Sequence, residues 1–371
     1  MNYYKYLFFG LFISSNIFVT AQAQVAVDGT TNTKLTPTDN GITIDDGDRI
    51  GDNLFHSFQD FSISEGSSAT FNNALDVENI FSRVTGGNIS DINGAINANG
   101  GANLLLINPA GIVFGGNARL NIGGSFLATT ADSLLFEGSE FSAVNPQAAP
   151  ILTIDRPIGL NFGNNPGNII NRANFGLQTT SVDIGLIPEF TVRDSVGLEV
   201  NNGETISLIG GNIIMENAAG ISSPGGVVEL GGLSEAGTVM LDPSPIFPEG
   251  IERSNVTLTE QSRVNVSANG GGVININAKN LELSQRSELL AGIAEDSNFE
   301  TNAGDINIDA TELVKIVGEL NISTAETFEK QSKHKPLPEI MVREFVILLV
   351  YHRLEEIQMA AKPWGMGGMS T

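Results

Sequence analysis

The sequence of 371 residues is long enough for a substantial core, and it contains 42 Gly and no Cys. The absence of Cys excludes disulfides and thiolate metal sites. With 42 acidic residues against 19 basic ones, the net charge is −23. Such a surface repels phosphate backbones and anionic lipid headgroups, so we expect no nucleic acid partner and no binding to a membrane surface.

The first 23 residues have the pattern of a secretory signal peptide. Lys5 precedes a mostly apolar run over residues 7–19, and Ala21 and Ala23 form a small-residue cleavage pattern that makes Gln24 the first mature residue. A retained membrane anchor is the alternative. Polar residues interrupt the run, however, and it is already short of the ~20 apolar residues that span a bilayer. We therefore expect the chain to be exported.

Between residues 24 and 329, apolar residues alternate with polar ones in short runs bounded by Gly, Asn, Asp or Ser. This period of two is typical of strands, and the bounding residues favour turns. The clearest runs cover residues 42–44, 104–107, 205–208, 212–215, 227–230, 256–258 and 264–266. The sequence therefore predicts many short strands joined by tight turns.

One segment of the sequence repeats. Residues 272–278 match residues 304–310 at an offset of 32 residues, and the same offset predicts that Leu281 corresponds to Leu313. The polar stretch 295–302 between them is predicted to be a loop. Repeats too small to bury their own apolar face favour a solenoid. We expect a parallel β-helix with Gly or Asn at its corners, where positive φ is tolerated. A β-sandwich is the alternative, but it does not require a repeated segment.

Several motifs resemble those of a known family. They are IFSRVTGGNI at 80–89, NGAI at 93–96, LLINPAGIVFG at 105–115 and GGSFLATTA at 123–131, with NLFHSF at 53–58 and PIGLNF at 157–162. Over roughly residues 25–325, the sequence resembles the N-terminal secretion domain of filamentous haemagglutinins and related exoproteins of two-partner secretion. The resemblance implies an all-β fold, a right-handed parallel β-helix with an N-terminal capping element.

The same resemblance implies a partner and a route. In this family, soluble periplasmic domains of a dedicated outer-membrane transporter recognise the domain, and the exoprotein then passes through the transporter pore. The remainder of such proteins usually acts as an adhesin. We therefore expect a secreted or cell-surface location, and a host or cell-surface receptor for the adhesive part.

The segment Asn108-Pro109-Ala110-Gly111 corresponds to the family's Asn-Pro-Asn-Gly signature, with Ala110 departing at the third position. Independently of the family, these residues suit a type I turn. Pro109 presets φ near about −65°, and the Asn108 side chain can cap the turn's amides. The candidate site covers residues 108–112, from Asn108 to Ile112. We expect it to form a structural turn that keeps the coils in register, to contact the transporter, or to do both.

The acidic residues Asp45, Asp46 and Asp48, with Asp52 nearby, could hold Ca²⁺ through oxygen ligands. Their spacing is not that of an EF-hand, and the glycine-rich calcium repeat is also absent. The sequence therefore favours a solvated acidic turn, and we expect no metal and no cofactor.

An enzyme that cleaves polysaccharide is the main functional alternative, because parallel β-helices include such enzymes. Their sites need paired carboxylates and usually aromatic platforms for sugar rings. Residues 24–329 contain no Tyr or Trp, and their only His is His56. A lone His is more often structural than catalytic. We therefore expect a protein that is not an enzyme, with a secreted β-helix that binds or cleaves polysaccharide as the alternative.

Residues 330–371 differ from the rest of the chain. Residues 330–364 contain no Gly, and six of the 19 basic residues lie in this tail. We expect that translation after about Glu329 is out of frame, and a genuine C-terminal helix over 339–361 is the alternative. The predicted organisation is a signal peptide at 1–23, a two-partner secretion domain at 24–245, β-helix shaft coils at 246–329 and an atypical tail at 330–371.

Overall fold

A computed structural model describes residues 24–147, 156–174, 177–178, 192–193, 197–242, 244–293, 303–317, 321–323 and 347–350. The described residues form strands and turns, with no helix among them.

The described chain begins with a cap of antiparallel strands. These are β1 (Gln24–Val27), β2 (Thr33–Thr38), β3 (Gly41–Asp46) and β4 (Asp48–Ile50). β2 pairs with β3, while β1 and β4 both pair with the next strand, β5 (Asn53–Ser62). β1 and β4 cover the hydrogen-bonding edge of β5, which a parallel sheet would otherwise expose to other chains. The predicted capping element is therefore present.

After the cap, the chain winds through successive coils that lay strands on three faces. Sheet 1 contains β5, β7 (Asn79–Val84), β10 (Asn103–Ile107), β13 (Phe126–Thr129), β21 (Thr205–Gly210), β24 (Val227–Gly232) and the first parts of β29 (Val273–Ser284) and β31 (Asp305–Val317). Sheet 2 contains β8 (Ser90–Ile92), β11 (Ile112–Phe114), β17 (Ile169–Asn171), β22 (Ile213–Met215), β27 (Val256–Leu258) and the later parts of β29 and β31. Within both sheets, these strands pair in parallel.

The third face is divided into two groups of strands. The first contains β2, β3, β6 (Ser68–Phe71), β9 (Ala95–Ala98) and β12 (Arg119–Asn121). The second contains β20 (Leu198–Glu199), β23 (Gly220–Ser222), β28 (Arg263–Asn265), β30 (Glu288–Leu290) and β32 (Asn321–Ser323). Apart from the β2–β3 hairpin, these strands also pair in parallel.

Inward-facing side chains stack in columns along the helix axis. One column on sheet 1 keeps register through successive coils: Leu54, Ile80, Leu104, Phe126, Ile206, Val228, Ile274 and Ile306. All of these except Ile306 are at most 5% exposed. Because paired strands lie about 4.8 Å apart, each side chain contacts its equivalents in the coils above and below. This stacking confirms the predicted parallel β-helix.

An outer sheet leaves the helix and folds back over sheet 1. It contains β14 (Ser133–Phe136), β15 (Ser139–Ser142), β16 (Gly159–Phe162), β25 (Gly237–Leu241) and β26 (Pro245–Ile246). Its strand order is β15-β14-β16-β25-β26, and every pair is antiparallel. The strands come from two insertions, one after β13 and one after β24. A further short antiparallel pair, β18 (Leu177–Gln178) with β19 (Val192–Arg193), follows β17.

The outer sheet packs against the part of sheet 1 whose outward-facing side chains are apolar. The outward column begins apolar and ends polar: Phe55, Phe81, Leu105, Leu127, Ser207, Glu229, Asn275 and Asn307. Phe55 and Phe81 stack with 4.9 Å between ring centroids, and Phe136 and Phe141 of the outer sheet meet Phe55 edge-on. A second core is therefore buried outside the coils. The sequence did not predict this second core.

Asn side chains stack at the corner between sheets 1 and 2. Asn212 Nδ2 donates to Asn168 Oδ1 at 3.1 Å, and Asn280 Nδ2 donates to Asn255 Oδ1 at 2.8 Å. Asn212 Oδ1 also accepts the backbone N–H of Asn255 at 3.1 Å. Each amide satisfies a polar group of a neighbouring coil, because a side-chain amide both donates and accepts. Asparagines therefore occupy this corner as expected, but through side-chain stacking, since none of these four has the positive φ on which the expectation was based.

The repeat at 272–278 and 304–310 stacks as predicted, with Ile274 opposite Ile306 and Ala278 opposite Ala310. The predicted correspondence of Leu281 with Leu313 is wrong by one residue. The register shifts after Ala278, so that Leu281 lies opposite Val314. The cause is a bulge, because β31 has one more residue than β29 at this point. The predicted loop at 295–302 lies outside the described residues.

The tail is described only at β33 (Ile347–Val350), which pairs antiparallel with the later part of β31. A continuous helix over 339–361 is therefore wrong at these residues. The rest of 330–371 lies outside the described residues.

Gly123 lies at a corner where two coils approach closely. A Cβ on Gly123 would lie 2.0 Å from the carbonyl oxygen of Gly100, whereas a Cβ on Gly101 would have no atom within 4 Å. We expect Gly123→Ala to lower the free energy of unfolding by about 2–3 kcal/mol through overpacking. Gly101→Ala should change it by less than about 0.5 kcal/mol. Urea unfolding measures both, and equal stability of the two variants would contradict this close approach.

Candidate recognition turn and the buried joint beside it

The turn from Asn108 to Gly111 joins β10 to β11 at the corner between sheets 1 and 2. The N–H of Gly111 donates to the C=O of Asn108 at 3.0 Å and closes the turn. The N–H of Ala110 donates to Asn108 Oδ1, also at 3.0 Å. Gly111 has a φ of 124°, which residues with a Cβ rarely adopt. The Asn and the Gly are therefore each required by the geometry of the turn.

The Asn108 side chain connects this turn to the coil before it. It is fully buried, and its Nδ2 donates to the C=O of Asn88 and to Ser90 Oγ, both at 2.9 Å. The backbone N–H of Asn108 donates to the C=O of Thr129 in the following coil at 2.9 Å. Both N–H groups of the amide and its oxygen are used within the fold. Asn108 therefore holds three successive coils in register.

The following coil, which contains Thr129, also holds the turn through its residues 167 and 168. The N–H of Gly167 donates to the C=O of Pro109 at 3.1 Å, and the N–H of Ile112 donates to the C=O of Asn168 at 3.0 Å. A Cβ on Gly167 would lie 2.5 Å from the backbone nitrogen of Gly111. The backbone of the turn is therefore enclosed between neighbouring coils.

The residues of the predicted site differ in their access to solvent. Asn108, Gly111 and Ile112 are buried, whereas Pro109 and Ala110 are partly exposed at the apex of the turn. In the folded chain, a partner could therefore reach the side chains of Pro109 and Ala110 but not the Asn108 amide.

A second polar feature lies in the motif at 80–89, and sequence analysis did not predict it as a site. Arg83 is 1% exposed. Its Nε donates to Ser57 Oγ, Nη1 to the C=O of Ser142, and Nη2 to Thr30 Oγ1, each at 2.8 Å. The guanidinium also lies over the Phe141 ring, with Cζ 4.3 Å from the ring centroid. Arg83 thus connects the cap, the first coil and the outer sheet.

The negative charge beside Arg83 comes from Asp28, which follows β1. Asp28 Oδ2 accepts from Ser57 Oγ at 2.6 Å and from Thr85 Oγ1 at 2.9 Å, and Oδ1 accepts from Thr30 Oγ1 at 2.8 Å. Burial raises the pKa of this carboxyl, but its hydrogen bonds outweigh burial and leave the pKa below the ordinary value. Burial lowers the pKa of Arg83 to about 10, partly offset by Asp28. Both groups are therefore charged at neutral pH.

We call Asp28, Thr30, Ser57, Arg83 and Ser142 the buried joint. Thr30 lies in the cap, Ser57 and Arg83 lie in the first two coils, and Ser142 lies in the outer sheet. The sequence contains one signal of the buried joint: Arg83 is a charged residue within the otherwise uncharged strand β7, Asn79–Val84. A buried charge needs several partners, so such a residue predicts a local network.

A family model described as the TPS secretion domain matches residues 23–276. The match spans more than half of the chain and includes both the turn and the buried joint. The chain belongs to the TPS secretion domain family. The resemblance to two-partner secretion exoproteins that sequence analysis identified is therefore confirmed.

Two solved structures are similar to this TPS secretion domain. The HMW1 secretion domain from Haemophilus influenzae is 16% identical with a TM-score of 0.40, and the match covers 83% of this chain and 91% of that chain. The filamentous hemagglutinin secretion domain is 14% identical with a TM-score of 0.38, and the match covers 80% of this chain and 99% of that chain. A search of curated protein sequences finds no significant match.

As a TPS secretion domain, the chain is the N-terminal secretion domain of a two-partner exoprotein. Domains of this family belong to exoproteins that an outer-membrane transporter exports to the cell surface or the medium.

His56 of this TPS secretion domain lies inside the first coil. It is 1% exposed, and its Nδ1 is 3.0 Å from Thr33 Oγ1 of the cap. The rings of Phe58 and Phe71 lie beside it, with centroids 6.1 and 5.3 Å away. Burial lowers the pKa of His56 to about 4. The histidine is therefore neutral at physiological pH and has no access to an external substrate.

The depressed pKa of His56 predicts a specific pH dependence of stability. The unfolded chain binds a proton near pH 6.5, whereas the folded chain does so only near pH 4. The contribution of the neutral His56 to the free energy of unfolding is therefore fully present above pH 6.5 and is lost as the pH falls toward 4. By pH 4.5 the loss should reach about 2.5 kcal/mol.

Urea unfolding of the wild type and of His56→Gln at pH 7.5 and 4.5 measures this effect. The carboxylates titrate in both proteins, so the difference between the two isolates His56. We expect the advantage of the wild type to shrink at the lower pH. An advantage that is constant across this range would contradict a neutral buried His56.

The predicted acidic cluster does not converge on a cation site. Asp45 accepts from Asn72 Nδ2 at 2.8 Å, Asp46 pairs with Lys34 at 2.6 Å, and Asp48 accepts from the N–H of Asn32 at 3.2 Å. Among the described residues, no three acidic or His side chains are grouped as metal ligands.

The predicted cleavage residues lie at the edge of the described chain. Ala21 and Ala23 are outside it, and Gln24 is the first residue of β1. The part of the chain that the structure describes holds no helix able to cross a bilayer.

Proposed function

We propose that residues 1–23 direct the chain through the Sec pathway and are removed before Gln24. The periplasmic soluble domains of an outer-membrane two-partner secretion transporter then recognise the exported chain. The observation that carries this proposal is the match of the TPS secretion domain model over residues 23–276. The capped β-helix fits this role because each coil uses the preceding one as its template.

In this proposal the main role of the turn at 108–112 is to hold the coils in register. The burial of Asn108 and its bonds to Asn88 and Thr129 support this role. Direct contact with the transporter falls to the partly exposed Pro109 and Ala110.

We further propose that the chain has no enzyme activity. Its family is a secretion domain. Within residues 24–329, the only histidine is enclosed in the core. The adhesive function belongs to a shaft that begins in the coils after residue 245 and binds a host or cell-surface receptor. Coil stacking continues through residue 245 without a break, from β22 to β27, so this boundary stays a prediction.

The tail at 330–371 is proposed to be translated out of frame. The intact mass of the protein, together with the two other reading frames downstream of residue 329, tests this origin. Resumption of the Gly- and Asn-rich pattern in another frame would support it, and its absence from both frames would contradict it.

Secretion from a Gram-negative host tests the main proposal. The chain is expressed alone and with each candidate outer-membrane transporter, and protein in the medium is measured. We expect it in the medium only with one matching transporter. A folded, soluble protein that stays in the periplasm with every transporter would contradict the secretion role. Glycan binding and cleavage would then be measured.

A further inference from the structure

The outer sheet carries a second apolar surface that faces solvent. A row crosses this sheet at matched register through Leu135, Gly159, Met240 and Ile246. Met240 is 42% exposed and Ile246 is 54% exposed, while Leu135 is partly exposed. We call these four residues the outer row. Gly159 itself is buried, because Thr238 Cγ2 and Leu135 Cδ1 would lie 3.4 and 3.5 Å from a Cβ at that position.

The fold does not require this row. The alternate residues of the same strands, such as Leu134, Leu160 and Val239, face sheet 1 and form the second core. An antiparallel sheet with one buried face normally has a polar opposite face. Apolar side chains that are adjacent and exposed instead indicate contact with a partner.

Further coils of the same protein cannot cover the outer row. Successive coils add along the helix axis beyond β31, whereas the outer sheet lies laterally on sheet 1 against Phe55 and Phe81 of the first two coils. The row therefore faces away from the direction in which a shaft grows.

The surroundings of the outer row are mainly acidic. Glu140 lies opposite Leu135 at one end of the row, and the exposed Asp242 and Glu249 flank the β25–β26 hairpin. Arg156 is an exposed basic residue at the same end of β16 as Gly159. Two acidic rims repel each other, which disfavours a second copy of this chain as the partner. A protein face with an apolar centre and a basic rim is complementary.

We propose that the outer row is a docking surface for a periplasmic soluble domain of the transporter. This inference rests on the proposed function and adds a second interface, separate from the proposed contact at Pro109 and Ala110. Met240 and Ile246 lie opposite each other on the β25–β26 hairpin, which is local in sequence. The centre of the surface is therefore formed by one hairpin, and acidic residues around it attract a basic rim on the transporter.

The test uses the transporter that exports the wild-type chain in the secretion assay, purified in detergent. Binding of the full chain is compared for the wild type, the double variant Met240→Ser with Ile246→Ser, and the control Leu75→Ser. Leu75 is 78% exposed and lies beside Gly100, outside the strands of the outer sheet. We expect the double variant to bind at least about tenfold more weakly and the control to bind like the wild type.

Thermal unfolding is measured for each protein, because substitutions at exposed positions should leave the midpoint unchanged. Binding of the double variant at wild-type affinity would overturn the docking surface while leaving the proposed function intact. A wild-type dimer that the double variant converts to a monomer would also overturn it, because the row would then be a contact between copies. If no transporter exports the wild type, the proposed function itself fails.

Discussion

Replacing Arg83 with Met is expected to lower the free energy of unfolding by about 3–5 kcal/mol, because it breaks a buried charge network. The substitution removes three donors and leaves the C=O of Ser142 without its Arg83 bond. It also leaves the Asp28 carboxylate without the cation beside it. Urea unfolding of the full chain measures the loss.

Arg119→Met is the matched control for this prediction. Arg119 is partly exposed, and its Nη1 donates to the C=O of Ala118 at 2.6 Å and of Gly116 at 3.5 Å. Its replacement should cost less than about 1 kcal/mol. An Arg83→Met variant as stable as Arg119→Met would show that the buried joint does not hold the cap and outer sheet in place.

The substitution Asn108→Asp should lower the free energy of unfolding by about 3 kcal/mol, although the two side chains have nearly the same shape. An ionised carboxylate has no N–H to donate. It would therefore lose the bond to the C=O of Asn88 and would place a negative charge 2.9 Å from that oxygen, whereas the Ser90 hydroxyl can rotate and donate to it. Urea unfolding measures the loss, and export should fall with it.

Ala110→Asn is the control for the turn, because it restores the family's Asn-Pro-Asn-Gly signature at a partly exposed position. We expect it to change stability by less than about 0.5 kcal/mol. A folded Asn108→Asp protein of wild-type stability that is not exported would contradict the structural role. Such a result would make Asn108 a direct contact for the transporter.

The interior of the β-helix could be predicted from the sequence because it depends on a local pattern. In Gly272–Ala278, every second residue is apolar, and the segment recurs one coil later. An apolar residue at every second position identifies the side chains that face inward, independently of which residues the neighbouring coils supply. The bulge after Ala278 could not be predicted in the same way, since one extra residue shifts the register without changing the composition.

The outer sheet was missed because its evidence is spread along the chain. The run Leu54-Phe55-His56-Ser57-Phe58 has Phe55 on its outward side, and Phe81 has the same position in the next coil. A strand that is apolar on both faces predicts a covering layer. The sequence alone does not show that the strands within 133–142, 159–162, 237–241 and 245–246 supply it.

The candidate site was predicted in part. The Asn-Pro-x-Gly pattern is local, so the turn could be predicted from the preferences of its residues. The partners of Asn108 lie 20 and 18 residues away, and the partners of Arg83 include one 59 residues away. No local rule joins such positions, and both side chains were therefore found to be buried only in the structure.

The insertion between β13 and β21 has a consequence for the rate of folding. The N–H of Thr205 donates to Ser125 Oγ across 80 residues, and the guanidinium of Arg83 reaches the C=O of Gln147 across 64 residues. Chains dominated by such distant pairings close slowly, on the order of milliseconds to seconds, because each loop must be ordered before its contacts form. Under the proposed function, the newly exported chain would therefore stay unfolded across this insertion for a time, and the transporter would receive an unfolded substrate.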